Sequence, residues 1–286
     1  MAFDILIDAA ELRLHINDKN WAVVDCRFSL DDTGRGRRDY LKAHIPGAVY
    51  AHLDEDLSGK KVPGKTGRHP LPEIYSLAET LSVWGIDADT QVVAYDDASG
   101  ALAAARMWWL LRWLGHQAVA ILDGGWQVWV KENRPVANGK EQRPRRNFIA
   151  QPRNELVIDA AFVSANLDNP AFQLADARSA ERYRGENETI DPIAGHIPGA
   201  ASAPNQDNLD SDGKFLSKDA LRRHYLRVVG GNKGAVVAFY CGSGVSACLD
   251  ILAYEYAGLG EVRLYPGSWS EWITDPNRPV ATGADK

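Results

Sequence analysis

Residues 235–257 read AVVAFYCGSGVSACLDILAYEYA. The first six are β-branched, aromatic or small, as a buried strand requires, and the last ten, Cys248–Ala257, suit a helix. Between them lies a turn with two glycines and a cysteine at the strand end. The same order occurs earlier: the apolar run Gln91–Tyr95 meets Asp96-Asp-Ala-Ser-Gly-Ala101, and a helical stretch, Ala101–Leu114, follows. Further strand candidates are Ala22–Asp25, Ala118–Leu122, Gln173–Asp176 and Glu261–Tyr265; further helices are Ser76–Trp84 and Lys218–Val228. Strands alternating with helices predict an α/β fold, mainly parallel sheets with helices on both faces. Ligands of such sheets bind at the carboxyl ends of strands, which directs attention to the loops after Tyr95 and Tyr240.

The correspondence extends along the chain. His44-Ile-Pro-Gly-Ala48 recurs as His196-Ile-Pro-Gly-Ala200, and Asn133-Arg-Pro-Val-Ala137 as Asn277-Arg-Pro-Val-Ala281. Asp25-Cys26-Arg27 matches Asp176-Ala177-Arg178, and Gly124-Gly125-Trp126 matches Gly267-Ser268-Trp269. The order is kept and each shift is close to half of the 286 residues, so the chain reads as a tandem duplication. The expected organisation is a first domain over 1–137, a linker over 138–154 and a second domain over 155–286. The linker, NGKEQRPRRNFIAQPRN, is polar, with two prolines and no helical period, and its arginines read as solvated.

Composition excludes several classes. With 45% hydrophobic and 24% charged residues the chain is globular rather than disordered. A net charge of −6 gives no global basic field for nucleic acid. No apolar run approaches the roughly 18 residues of a membrane span, so no membrane partner is expected. The acidic N-terminus has no signal-peptide pattern. Three scattered cysteines suggest neither a disulfide framework nor a zinc site. A cytoplasmic protein with reduced thiols is the simplest expectation, with no metal and no organic cofactor.

The two equivalent loops differ where chemistry would occur. Cys241 stands at a strand end, before a glycine turn whose backbone N–H groups face inward and before a helix N-terminus. Such surroundings favour thiolate over thiol. Asp96 occupies that place in the first repeat and offers no sulfur nucleophile, so one repeat reads as active and the other as structural. Cys26, inside a strand run, reads as a core residue. Cys248, about two helical turns beyond Cys241, reads as packing, with a resolving thiol as the alternative. Trp108, Trp109 and Trp113 have helical spacing and read as packing against the sheet. Asp25 and Asp176 occur in both halves, which suggests turn or capping roles.

The two HIPGA segments, the cysteine-free first loop and CGSGVSA in the second repeat together resemble the tandem-domain rhodanese family of sulfurtransferases. The six-residue loop opening CGSG resembles its 3-mercaptopyruvate branch. The likeness covers about residues 5–282 and implies two rhodanese-like domains. It implies sulfur transfer through a persulfide on Cys241, from 3-mercaptopyruvate to a thiol or cyanide acceptor, with a thioredoxin-like protein as one candidate acceptor. It also implies that Arg184 holds the donor carboxylate, that the loop residues Gly242, Gly244, Val245, Ser246 and Ala247 line the donor, and that Ser243, His69 and Asp54 form a proton relay, the latter two facing the second-domain loop. Many members of the branch carry a second arginine shortly before the second HIPGA; residues 187–194 here have none, and Arg178 and Arg182 are candidate substitutes, Arg178 reading also as a structural strand-end residue.

The loop chemistry agrees without the family. A thiolate among inward N–H groups can attack a donor sulfur and hold it as a persulfide, the anionic sulfur being stabilised as an oxyanion is. Rhodaneses specialised for thiosulfate resemble CRKG at the loop start, whereas Gly242 and Ser243 supply no cation, so loop charge is expected to favour 3-mercaptopyruvate. Thiosulfate sulfurtransferase is the alternative activity, and a persulfide carrier module for a protein partner the alternative role. A cysteine phosphatase would need an arginine at the end of the loop, where Ala247 and Cys248 stand.

Overall fold

The computed structural model describes residues 2–230 and 235–284. The chain forms two compact units, and each is built around a parallel sheet. The first comprises residues 1–59, 71–153 and 211–214; the second comprises 60–70, 154–210 and 215–286. Residues 60–70, from the first repeat in sequence, thus belong to the second unit.

In the first unit, β1 (Leu6–Ile7), β2 (Trp21–Asp25), β3 (Val49–Tyr50), β4 (Gln91–Tyr95) and β5 (Val119–Leu122) pair in the order β1-β5-β4-β2-β3, all parallel. Side chains alternate between faces along each strand. Val23, Val93, Tyr95, Ala120 and Leu122 form one core with Ala9 and Leu12 of α1 (Ala9–His15) and with Val128 and Trp129 of α5 (Gly125–Lys131). The alternate residues, Val24, Val92, Ala94, Val119 and Ile121, are equally buried and face the opposite side. Helices α2 (Arg35–Lys42), α3 (Ile74–Val83) and α4 (Ala103–Trp113) complete the unit. Trp108, Trp109 and Trp113 are buried in α4, with Trp109 stacked on Trp113 one turn later and Trp108 Nε1 donating to Asp4 O at 2.8 Å. Each indole removes about 150–250 Å² from water, so packing accounts for these residues.

The second unit repeats the plan with β6 (Phe172–Asp176), β7 (Ala201–Ser202), β8 (Val236–Tyr240) and β9 (Arg263–Leu264) in the order β7-β6-β8-β9. Its helices are α6 (Ala160–Ala165), α7 (Ala180–Arg184), α8 (Lys218–Val228), α9 (Ala247–Tyr256) and α10 (Ser268–Trp272). A single parallel bridge, Val157 to Leu264, stands where the first unit has β1.

The strand-end aspartates carry the same network in both units. Asp25 receives Arg27 Nε at 3.0 Å and Tyr95 Oη at 2.6 Å; Asp176 receives Arg178 Nε at 3.0 Å and Nη2 at 2.7 Å. Each arginine also reaches a carbonyl before the HIPGA segment, Ala43 O or Gly195 O, both at 2.6 Å, and lies over a tryptophan, Trp126 or Trp269. Presence in the half without a cysteine loop makes this a scaffold. One linker arginine departs from the solvated expectation: Arg146 donates to Lys19 O, Asn20, Asp87 and Thr90, whereas Arg145 stays exposed in a surface pair with Glu79. Buried Phe148, whose amide donates to Ser82 Oγ at 3.0 Å, holds the segment against the first unit.

Candidate active site

β8 delivers Cys241 to the carboxyl edge of the second sheet, where the residue is only 1% exposed. Its backbone is held on both sides. The Cys241 amide donates to Ser268 Oγ at 3.1 Å, and its carbonyl accepts from the Trp269 amide at 2.9 Å. Gly242 O accepts from the Ser270 amide at 2.9 Å. Gly244 has φ +73°, and a Cβ there would lie 2.4 Å from Pro266 O, so the turn requires glycine. Ser246 then leads into α9. Among the described residues, the amides of Gly242, Ser243, Val245 and Ser246 donate no hydrogen bond to the protein, which leaves four donors in the turn between Cys241 and α9.

The first repeat shows what this turn attracts. Asp96, fully buried, accepts from the amides of Ala98 and Gly100 on one oxygen, at 2.9 and 2.8 Å, and from Leu102 and Ala104 on the other, both at 3.1 Å. A carboxylate of the chain itself thus fills the anion-binding turn that the second repeat leaves to its cysteine.

Residues 67–69 form part of the site in the second unit. Gly67 packs so closely that a Cβ would lie 2.4 Å from Gly267 O, and the Arg68 amide donates to Ser270 Oγ at 3.0 Å. This places buried His69 with Nδ1 2.7 Å from Ser243 Oγ. Arg68 reaches Gly242: a Cβ on that glycine would be 2.7 Å from Arg68 Nη2 and 3.7 Å from both terminal nitrogens of Arg182. Arg182 is fixed by Glu188, which its Nη2 meets at 2.9 Å, and by Asp191 at 3.0 Å; Asp191 also receives Arg68. The arginine-free stretch 187–194 therefore supplies the two acids that orient the guanidiniums at the loop.

The other expected residues are distributed as follows. Arg184, at the end of α7, pairs with exposed Glu186 at 2.8 Å, which raises the arginine's already high pKa. The guanidinium brought to the loop from α7 is Arg182. Val245 and Ala247 are buried and Ser246 is half-buried. Asp54 lies in the first unit, in the turn after β3, and its amide donates to His52 Nδ1 at 3.1 Å. Cys248 is buried in α9 with Sγ 3.5 Å from Gly244 O, a packed thiol rather than a presented one.

Two further residues, Arg68 and Ser268, contribute to the site without having been expected there. Arg68 carried a signal only as the neighbour of His69. Ser268 was legible from the repeat: Gly125, its counterpart, has φ +58°, and Ser268 keeps φ +55° despite its Cβ. A non-glycine residue there costs of order 1–3 kcal/mol, and the active half bears it where the hydroxyl takes the Cys241 amide.

Comparison with known proteins agrees with this architecture. The family model of the rhodanese-like domain matches residues 8–132 and again 159–275. The chain is 48% identical to a probable 3-mercaptopyruvate sulfurtransferase of Pseudomonas aeruginosa, over 97% of this chain and 98% of that one. It is 39% identical to the putative thiosulfate sulfurtransferase SseB of Mycobacterium tuberculosis, over 98% and 97%. The solved 3-mercaptopyruvate sulfurtransferase from Leishmania major superposes with a TM-score of 0.84 at 32% identity, over 96% of this chain and 75% of that one. Two parallel-sheet units, one with a cysteine and one with an aspartate in the same anion-binding turn, and two matches to a single domain model agree: the chain belongs to the rhodanese family, as two rhodanese-like domains in tandem.

Proposed function

We propose that the chain is a sulfurtransferase that takes sulfur from 3-mercaptopyruvate onto Cys241 and passes it to a thiol, or to cyanide. The observation that carries this reading is the contact of His69 with Ser243 on the loop that presents Cys241, in the repeat whose turn holds a thiol instead of a carboxylate. The Cys241 thiolate attacks the donor sulfur. The new S–S bond forms as the donor C–S bond breaks, and pyruvate leaves as its enolate. Ser243 hands that carbanion its proton and recovers one through His69 Nδ1. The loop amides hold the persulfide anion until an acceptor thiol removes the outer sulfur. The donor carboxylate is assigned to Arg182, which stands beside Gly242, rather than to Arg184, which pairs with Glu186 at the surface. Asp54 keeps its place in the relay on the motif alone. Both the cytoplasmic setting and a thioredoxin-like acceptor belong to this proposal.

Thiosulfate is the second donor to weigh, because two guanidiniums stand at a loop that carries no cation of its own. Measuring kcat/KM for both donors side by side tests the reading. A preference for 3-mercaptopyruvate is expected, and a preference for thiosulfate would reverse the assignment. Ser243→Ala separates the chemistries further. Sulfite departs as an anion and needs no proton, whereas the enolate does. The variant should lose about 10²-fold in kcat with 3-mercaptopyruvate and only a few-fold with thiosulfate. Equal losses with both donors would remove the relay from the mechanism.

A further inference from the structure

Arg68, Asp191 and Arg182 form one bridge over the catalytic loop. The Asp191 side chain is 2% exposed and uses one oxygen for Arg68 and the other for Arg182. Arg68 is one-quarter exposed, its Nε is buried with no hydrogen-bond partner, and its Nη2 is the atom nearest to where a Gly242 side chain would stand. Arg182 spends Nε and Nη2 on Glu188 and Asp191, and Nη1 lies as near to the Gly242 Cβ position as Nη2 does, 3.7 Å. Each guanidinium therefore keeps donor capacity on the loop side and is anchored on the other. Charge in this cluster balances: Arg68, Arg178 and Arg182 stand against Asp176, Glu188 and Asp191.

We propose that the Arg68–Asp191–Arg182 bridge selects the sulfur donor, with Arg68 as a second guanidinium that receives its anionic end and Asp191 lowering the positive charge there. The inference rests on the sulfur-transfer reading of Cys241. A monoanionic carboxylate with a neutral thiol is satisfied by two anchored guanidiniums whose charge is partly cancelled. A compact dianion such as thiosulfate requires more positive charge at short range. A side chain at 242 would meet Arg68 Nη2 at 2.7 Å and push the guanidinium away from the loop.

Two readouts test this. The first is kcat/KM for 3-mercaptopyruvate and thiosulfate in Asp191→Asn and Arg68→Met. Asp191→Asn should raise the thiosulfate to mercaptopyruvate ratio about tenfold, the scale of one charge-assisted contact. Arg68→Met should lower kcat/KM for both donors through KM, by about tenfold for 3-mercaptopyruvate and by more for thiosulfate. The second readout needs no sulfur transfer: the rate of Cys241 alkylation by anionic iodoacetate relative to neutral iodoacetamide. That ratio should rise in Asp191→Asn and fall in Arg68→Met. If the alkylation ratio moves but neither donor is turned over, the bridge stands and the sulfur-transfer reading falls. If donor and alkylation ratios are both unmoved in folded Asp191→Asn, the bridge does not set the site's charge and the proposal is wrong. Should Asp191→Asn fail to fold, Arg68→Met decides alone, and unchanged ratios in it overturn the proposal.

Discussion

Cys241→Ser is expected to acquire no sulfur from any donor and to lose at least about 10⁴-fold in kcat/KM, the scale of losing a covalent nucleophile. A serine oxygen in the same turn keeps the backbone contacts to Ser268, Trp269 and Ser270, so the variant should fold normally. Neither remaining cysteine can substitute. Cys26 is fully buried in the first unit, and burial pushes its thiol well up, aided by the carboxylates of Asp96, Asp25 and Asp56. Cys248 faces Gly244 O from inside α9. Intact-mass measurement after exposure to donor should show one added sulfur atom on the native chain and on Cys248→Ser, and none on Cys241→Ser. Sulfur retained by Cys241→Ser, or missing from Cys248→Ser, would move the nucleophile elsewhere.

Asp96→Ala should strongly destabilise the first unit. The side chain closes four backbone N–H groups around one buried carboxylate. Hydrogen bonds to a charged group are worth about 1.5–3 kcal/mol each, and a buried donor left without a partner costs about 1–3 kcal/mol. Water entering the space of the lost carboxylate recovers part of this. A net loss of about 4 kcal/mol follows, which for a domain of this size lowers its melting by roughly 8–16 °C. Asparagine should rescue little, since its amide nitrogen would face two N–H donors in place of an acceptor oxygen. Calorimetry with hydrogen exchange at Ala98–Ala104 reports this directly. A loss under about 1 kcal/mol would mean that the turn does not depend on its carboxylate. The result also bears on the active half, because the same turn without an internal anion is the one that must stabilise a sulfur anion.

Much of the molecule was legible in local sequence. The central strands β2, β4, β6 and β8 and the helices α4, α8 and α9 lie within two residues of the apolar runs that announced them. A strand buried on both faces needs a continuous apolar segment, and helices covering it need a periodic one. The internal repeat identified the loop pair, and the difference between Cys241 and Asp96 marked which turn holds a nucleophile. Of the two-residue strands, β9 lies inside the expected run Glu261–Tyr265, whereas β1, β3 and β7 stand in no such run and exist through the neighbours they pair with.

What only the tertiary structure decided is where charge goes. Along the chain Arg182 and Arg184 are equivalent, two basic residues at the end of one short helix. The loop 187–194 separates them by offering Glu188 and Asp191 to the first, while Glu186 holds the second at the surface. Arg68 belongs in sequence to the first repeat, yet residues 60–70 pack into the second unit and bring it, with His69, to the loop of Cys241. Periodicity encodes which face of an element is buried, and it carries no information on which distant acid a guanidinium will find. That pairing is set by distance and desolvation in the folded chain, and these exist only once the sheet edge, the loop and residues 67–69 have come together.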